Sequence, residues 1–417
     1  MMKQLIIALQ AARPLPAAML ADGAAVAAHR STRLFVKLLM LPVLLLTVAC
    51  AECPAVFASS SVGMQATTGG SQIVPAAHPT PPYADGRPTA KYRLYAKDAG
   101  IVYRYGSGPG RCDYLGARDV WLWRYKRTYY MNYDGAGPKG WLACLATSKD
   151  LLHWTPHGPV LSFGPPGSGD SASASYGTTY RKGNKWYMYY LGTPHATPAP
   201  DFIPAFPYQT FTAWSRSPEG PWIKLKNVIP FKPTPHTYYS ATASPGQIIR
   251  YHGQYLMFFS ASTANPIYRT IGIARTQNLA GAWTIDPKPI LPPREQIENT
   301  SLYFEPTSKT WFLFTDHISL RHGLEYTGAI WVYWSHKLTH WNPAHKAIVL
   351  DRHNCKWSPY IIGLPSVLKV GNRLAVIYDG NTQRSLPGGF ASNMKRDIGL
   401  AWLKLPPRLP DAAKRIK

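Results

Sequence analysis

Short runs of alternating aromatic and aliphatic residues, each entered through a small polar turn, recur five times along the chain. They are Tyr-Tyr-Met-Asn-Tyr at 129–133, Trp-Tyr-Met-Tyr-Tyr at 186–190, Tyr-Leu-Met-Phe-Phe at 255–259, Trp-Phe-Leu-Phe-Thr at 311–315 and Leu-Ala-Val-Ile-Tyr at 374–378. Turns such as Lys-Gly-Asn-Lys at 182–185, His-Gly-Gln at 252–254 and Gly-Asn-Arg at 371–373 lead into them. Runs of this length bounded by such turns read as hairpin strands, and successive starts 57, 69, 56 and 63 residues apart mark one structural unit repeated. A second element keeps the same beat, running from a small residue to a tryptophan at 146–154, 213–222 and 274–283, with a variant at 334–341 and a shortened copy, Ile-Gly-Leu-Ala-Trp, at 398–402. One small twisted sheet cannot bury both of its faces, whereas several can by stacking around an axis. The pattern therefore predicts an all-β fold, a five-bladed β-propeller. Residues 92–105 are expected to supply strands that close the ring beside the fifth blade, and Trp154, Trp222, Trp283 and Trp341 to pack between blades.

Composition agrees with a loop-rich β protein. The 417 residues include 39 prolines and 33 glycines, which punctuate strands and suit no long helix, and 46% hydrophobic residues supply a core. The N-terminus has a different character. Arg30, Arg33 and Lys37 precede an apolar run at 38–48 that is short for a membrane span and is followed by small residues. This reads as a signal or targeting segment over 1–58, with cleavage after Ala58 favoured over a lipid anchor at Cys50, so a secreted or periplasmic location is expected. Residues 59–90, rich in Ser, Pro, Ala and Gly, read as a flexible lead-in, 91–407 as the propeller and 408–417 as a basic tail.

Cleavage would leave Cys112, Cys144 and Cys355, which form neither a disulfide framework nor a metal cluster; one disulfide is allowed, its pairing open. Net charge is +24, and because the first 58 residues hold five basic and two acidic side chains, the remainder carries +21. Such an excess favours attraction to an anionic polysaccharide or cell surface. The basic residues are spread over turns rather than gathered in a run, which argues against a nucleic-acid partner.

Hairpin geometry indicates which residues can share a centre. The start of each inner strand and the end of each aromatic strand lie on one face. Those positions hold Asp119 and Asp134 in the first blade, Tyr176 in the second, Ser244 in the third, Glu298 with Asp316 and His317 in the fourth, and Asp379 in the fifth. Five acidic residues on one face, from only 21 in the chain, is an enrichment. Carboxylates at a cavity are what glycoside cleavage needs: a protonated acid helps the leaving oxygen depart, while an ionised partner activates water or attacks the sugar. Asp-Gly at 134–135 and 379–380 also suits turns without any chemistry. Long loops at 192–209, 316–328 and 379–396 add His195, Phe202, Phe206, Tyr208, Arg321, His322, Tyr326, Arg384 and Phe390 to the same side.

The run Ala-Thr-Ser-Lys-Asp-Leu-Leu-His-Trp at 146–154, followed by Gly-Pro-Val-Leu at 158–161 and combined with the repeated aromatic strands, resembles the five-bladed propeller glycoside hydrolases, family 43 and its relatives in families 32, 62, 117 and 130. The resemblance covers about residues 91–407. It implies a general base at Asp119, in Arg-Asp-Val, and a proton donor at Glu298, in Ile-Glu-Asn-Thr-Ser-Leu. Three departures accompany it: the proline usual after the base is Val120, the glutamate falls on the fourth blade with Ser244 at the third-blade position, and Tyr176 stands where an aspartate that tunes the acid is expected.

The expected function is thus cleavage of a poly- or oligosaccharide by a monomeric, exported glycoside hydrolase, with Asp119 and Glu298 catalytic and Asp134, Asp316, His317, Arg321 and Asp379 lining the site. The sequence indicates no cofactor and no metal ligand set, although the resemblance allows a structural cation in the central channel. A non-catalytic glycan-binding propeller and a glycoside phosphorylase are the alternatives.

Overall fold

The computed structural model describes residues 69–77, 89–321, 324–383 and 394–410. Among them there is no α-helix, only two 3-10 turns and a succession of antiparallel strands. The strands pair into four-stranded units in chain order. The first contains Gly116–Tyr125, Thr128–Gly137, Gly140–Ser148 and Trp154–Pro159. The second contains Ser173–Lys182, Lys185–Thr193, Gln209–Ser215 and Ile223–Lys224. The third contains Thr242–Tyr251, Gln254–Ser262, Arg269–Thr276 and Thr284–Ile285. The fourth contains Ile297–Glu305, Thr310–Arg321, Leu324–Ser335 and Lys346–Leu350. The fifth joins Ile362–Val370, Arg373–Gly380 and Asp397–Lys404 to Lys97–Tyr103, which comes from the N-terminal end of the chain. Each innermost strand touches the next, and the innermost strand of the fifth unit touches that of the first, so the five units close a ring. This is a β-propeller.

The repeated aromatic runs are the second strand of each unit. Sheets lie on both sides of them, so both faces must be apolar. The third residue of each run, Met131, Met188, Met257, Leu313 or Val376, is fully buried. Core clusters lie between neighbouring units rather than within one: Met131 and Val120 pack with Ala375 and Leu400, Tyr189 with Met257 and Phe259, and Phe312 and Phe314 with Val376 and Tyr378. Trp283 and Trp341 are buried in such clusters, while Trp154 and Trp222 are half-buried against them.

The N-terminal region departs from the expected layout in two ways. Residues 69–77, assigned to a flexible lead-in, are tied to the propeller: Ile73 is buried in the core between the fourth and fifth units, its N–H donates to the Arg408 carbonyl (2.9 Å), and Arg408 N–H donates to Ser71 O (2.8 Å). The composition of this stretch is loop-like, but one isoleucine placed over an apolar seam outweighs it. Tyr92–Arg93 joins the fourth unit, pairing in parallel with Lys346–Leu350, rather than the fifth. The proposed targeting segment at 1–58 lies outside the described residues.

Candidate active site

The axial end of every inner strand carries the same irregularity. Register slips between Arg118 and Trp121, Ser175 and Gly177, Ser244 and Gln247, Glu298 and Thr300, and Gly363 and Ser366. In four of the five the bulged residue is left-handed without being glycine: Asp119 (φ 54°), Tyr176 (φ 43°), Asn299 (φ 54°) and Leu364 (φ 41°). The third unit turns at Pro245-Gly246, where a Cβ on Gly246 would overlap the Phe258 carbonyl. Each left-handed residue costs about 1–3 kcal/mol and persists only where its surroundings over-determine it; bulges of this kind re-aim side chains.

These surroundings form a repeated latch. The backbone N–H of the bulged residue donates to a side chain at the end of the second strand of the preceding unit: Asp119 N to Asp379 Oδ2 (2.9 Å), Asn299 N to Ser260 Oγ (2.8 Å), and Tyr176 N to Asp134 Oδ1. Asp134 and Asp379 therefore fasten neighbouring units together. Asp379 also accepts from Arg396 Nη1 at 2.6 Å, both side chains being almost wholly buried. Burial lowers the Arg396 pKa against the attraction of Asp379.

The remaining carboxylates complete the cluster. Arg118 Nε meets Asp119 Oδ1 at 2.7 Å, and Arg269 Nη1 meets Glu298 Oε2 at 2.5 Å. Asp316 lies opposite Glu298 in register and accepts from Asn299 Nδ2 at 3.3 Å. Its Oδ2 finds no hydrogen-bond partner among the described residues. Solvent access divides the five acids. The side chains of Asp119 and Glu298 are 16% and 17% exposed, whereas Asp134, Asp316 and Asp379 as whole residues are 2%, 0% and 0% exposed.

The electrostatics show how close these groups are to one another. Burial pushes Asp316 well above the usual carboxylate range, and the charges of Glu298, Asp119 and Asp379 push it further. Burial and the Asp119 charge likewise raise Asp134 well above that range. Asp119 is raised mainly by burial, with Arg118 opposing. Tyr176 is raised by burial and by the charges of Asp119, Asp134, Asp316 and Glu298. Tyr208 is raised by burial, with Arg269 opposing and the Glu298 charge adding to it, and its hydroxyl donates to the Pro204 carbonyl (2.6 Å). The structure thus brings Asp119, Glu298, Asp134, Asp316 and Asp379 into one axial cluster.

His317 does not share that environment. It is buried and stacked on Trp331, with ring centroids 3.8 Å apart and planes 16° apart, because strand alternation puts it on the face opposite Asp316. Arg321 ends its strand, and its side chain, like His322, Arg384 and Phe390, lies outside the described residues. Arg269 and Arg396 were not expected at the site. They occupy the starts of third strands, which follow the second strands at the axial face, so extending the same face argument by one strand would have found them. For the structural cation that the resemblance allows, no group of three His, Cys, Asp or Glu side chains suited to a metal occurs among the described residues; Asp119, Glu298 and Asp379 are engaged by arginines and Asp134 by a backbone N–H, while Asp316 keeps one oxygen without a hydrogen-bond partner.

Solved structures of propeller glycoside hydrolases share this fold. The BT0996 complex with RGII superposes with a TM-score of 0.55 at 15% identity, covering 75% of this protein and 94% of that one. A family 117 glycoside hydrolase, Zg3597 from the marine bacterium Zobellia galactanivorans, gives 0.53 at 15% identity over 75% and 91% of the two proteins. The catalytic domain of the Coprinopsis cinerea GH62 α-L-arabinofuranosidase gives 0.52 at 13% over 74% and 96%. No family model and no curated protein matches the chain.

Proposed function

We propose that the protein is an exported glycoside hydrolase that cleaves a poly- or oligosaccharide at the axial cluster, with Asp119 as the ionised base or nucleophile and Glu298 as the proton donor. The observation that carries this reading is the division of the five acids: only Asp119 and Glu298 keep solvent access, and each is paired with an arginine. Arg118 favours the ionised form of Asp119, as a base or nucleophile requires, against the burial that raises its pKa. Glu298 faces two opposing influences. Partial burial favours its protonated form, while Arg269 favours its ionised form. To protonate a leaving oxygen, Glu298 must part from Arg269, and a bound sugar hydroxyl or carboxylate offers that guanidinium a new acceptor. Tyr208, which is part-buried, supplies a ring face for sugar contact. The excess of basic residues fits an acidic glycan, and the chain is proposed to act as a monomer.

A panel of neutral, uronic and sulfated polysaccharides tests the reading, followed by dissection of the best substrate. Glu298→Gln is expected to abolish turnover of substrates with poor leaving groups while sparing activated aryl glycosides more, because a good leaving group needs less proton assistance. Asp119→Asn should damage both alike. Equal loss on both substrates in the Glu298 variant would remove the proton-donor role.

A glycan-binding propeller without catalysis is the second reading. The Arg269–Glu298 contact favours it, since a carboxylate held ionised cannot donate a proton. Saturable glycan binding with no reducing ends released would select it.

A further inference from the structure

Two cysteines meet behind Asp134. Cys112 lies in the connection that carries the chain from Lys97–Tyr103, in the fifth unit, to Gly116–Tyr125, the innermost strand of the first. Cys144 lies on Gly140–Ser148, opposite Tyr133 in register. Both are buried, at 6% and 0% exposure. Gly135 stands between them: a Cβ built there would overlap the Cys112 carbonyl oxygen and crowd Cys144 Sγ, so both residues press on the same stretch of bare backbone. The Tyr133 hydroxyl is 3.9 Å from Cys112 Sγ, and both cysteines are free thiols in this structure. Cys355 belongs to a different core, 3.4 Å from the Tyr378 hydroxyl.

We propose that Cys112 and Cys144 form a disulfide when the chain folds in an oxidising compartment, and that this bond locks the seam where the propeller ring closes. Outside that bond, the closing strand Lys97–Tyr103 is held to the fifth unit by its ladder with Asp397–Lys404, and its connection to the first unit by the Asp113 carboxylate, which accepts from the Tyr133 hydroxyl (3.3 Å) as well as from the Tyr103 hydroxyl (2.7 Å) and Gly108 N–H (2.9 Å). A cross-link from residue 112 to the third strand of the first unit would fix the first-unit end of the closure covalently, while the fifth-unit end stays on its ladder. The chemistry balances by thiol–disulfide exchange. A Cys112 thiolate attacks oxidised glutathione or an oxidoreductase disulfide, forming a mixed disulfide and expelling one thiolate; the Cys144 thiolate then displaces the second. The two protein thiols lose two electrons and two protons, and the carrier leaves as two thiols. Burial pushes the Cys144 thiol well above its ordinary pKa, so the exchange belongs to folding, before the seam is sealed.

The test is a disulfide map of the full chain refolded in a mixture of reduced and oxidised glutathione. The folded product is treated with an alkylating reagent under denaturing conditions, digested without reduction and subjected to mass spectrometry. The expected result is one linked pair of peptides carrying Cys112 and Cys144, lighter by two hydrogens than the two thiol peptides and separated by reductant, with Cys355 alkylated. The oxidised protein should melt roughly 5 °C or more above the reduced one, a difference abolished in Cys112→Ser and retained in Cys355→Ser. Alkylated Cys112 and Cys144 in folded, oxidised protein would overturn the proposal, as would linkage of either to another cysteine. Should Cys112→Ser fail to fold, the wild-type map still decides.

Discussion

The axial cluster has an open part and a sealed part, and the same residue type behaves differently in each. In the open part Asp119 and Glu298 retain solvent access and face arginine forks at 2.7 and 2.5 Å. In the sealed part Asp379 and Asp134 accept backbone N–H groups from the bulges of neighbouring units, and Asp316 holds an oxygen with no partner among the described residues. An open carboxylate can exchange its arginine for a ligand at little cost, because water and the ligand replace the lost contact. A sealed one cannot, because its removal leaves a buried partner without compensation. Clustering of acids therefore does not identify catalytic groups by itself. Solvent access and the nature of the partner separate chemistry from architecture.

The largest effect expected from breaking this division is on the sealed side. Asp379→Ala removes the partner of Arg396, whose side chain is 2% exposed, and the acceptor of Asp119 N–H. Stability should fall by about 3–5 kcal/mol, read as a lower urea midpoint. An unchanged midpoint would mean that the latch carries no load.

Asp316→Asn should have a much smaller effect, within about 1.5 kcal/mol, because the neutral amide replaces a carboxyl whose neutral form burial favours. It should also change the pH dependence. A carboxyl raised in the folded state contributes stability below its unfolded pKa and loses it as pH rises through the folded pKa. With Asp316 raised in this way, the wild type should lose stability relative to the variant from acid toward neutral pH. Melting temperatures of both proteins between pH 4 and 8 check this, and parallel curves would contradict it.

The smallest effect concerns the surface. Affinity for an acidic glycan should decline as salt rises, since exposed charges are screened over about 10 Å at 0.1 M, whereas the buried latches should leave the urea midpoint nearly unchanged over the same range. Salt-independent binding would remove the role assigned to the net charge.

Much of this architecture was legible in the chain. Positions such as Met131, Met188 and Met257 announce strands covered on both faces, and hairpin parity placed the five acids together. The latches were not legible, because a bulge is a feature of register, and Asp119, Tyr176, Asn299 and Leu364 share no residue type that would mark a left-handed position. Access was hidden as well: Asp316 and Glu298 face each other across one hairpin, yet one is sealed and the other open. His317 shows the limit of reasoning from residue type, since its aromatic partner Trp331 comes from the adjacent strand. Ile73 shows that of composition, since one apolar side chain anchors a stretch otherwise built like a linker.

The most direct test of the division between open and sealed acids is kcat/KM on a confirmed polysaccharide substrate for Asp119→Asn, Glu298→Gln and Asp316→Asn, each verified as folded. The two open-site variants should lose about 10²–10⁴-fold, and the sealed-site variant less than about tenfold. Wild-type turnover in either open-site variant, or a loss in Asp316→Asn as large as theirs, would contradict the assignment.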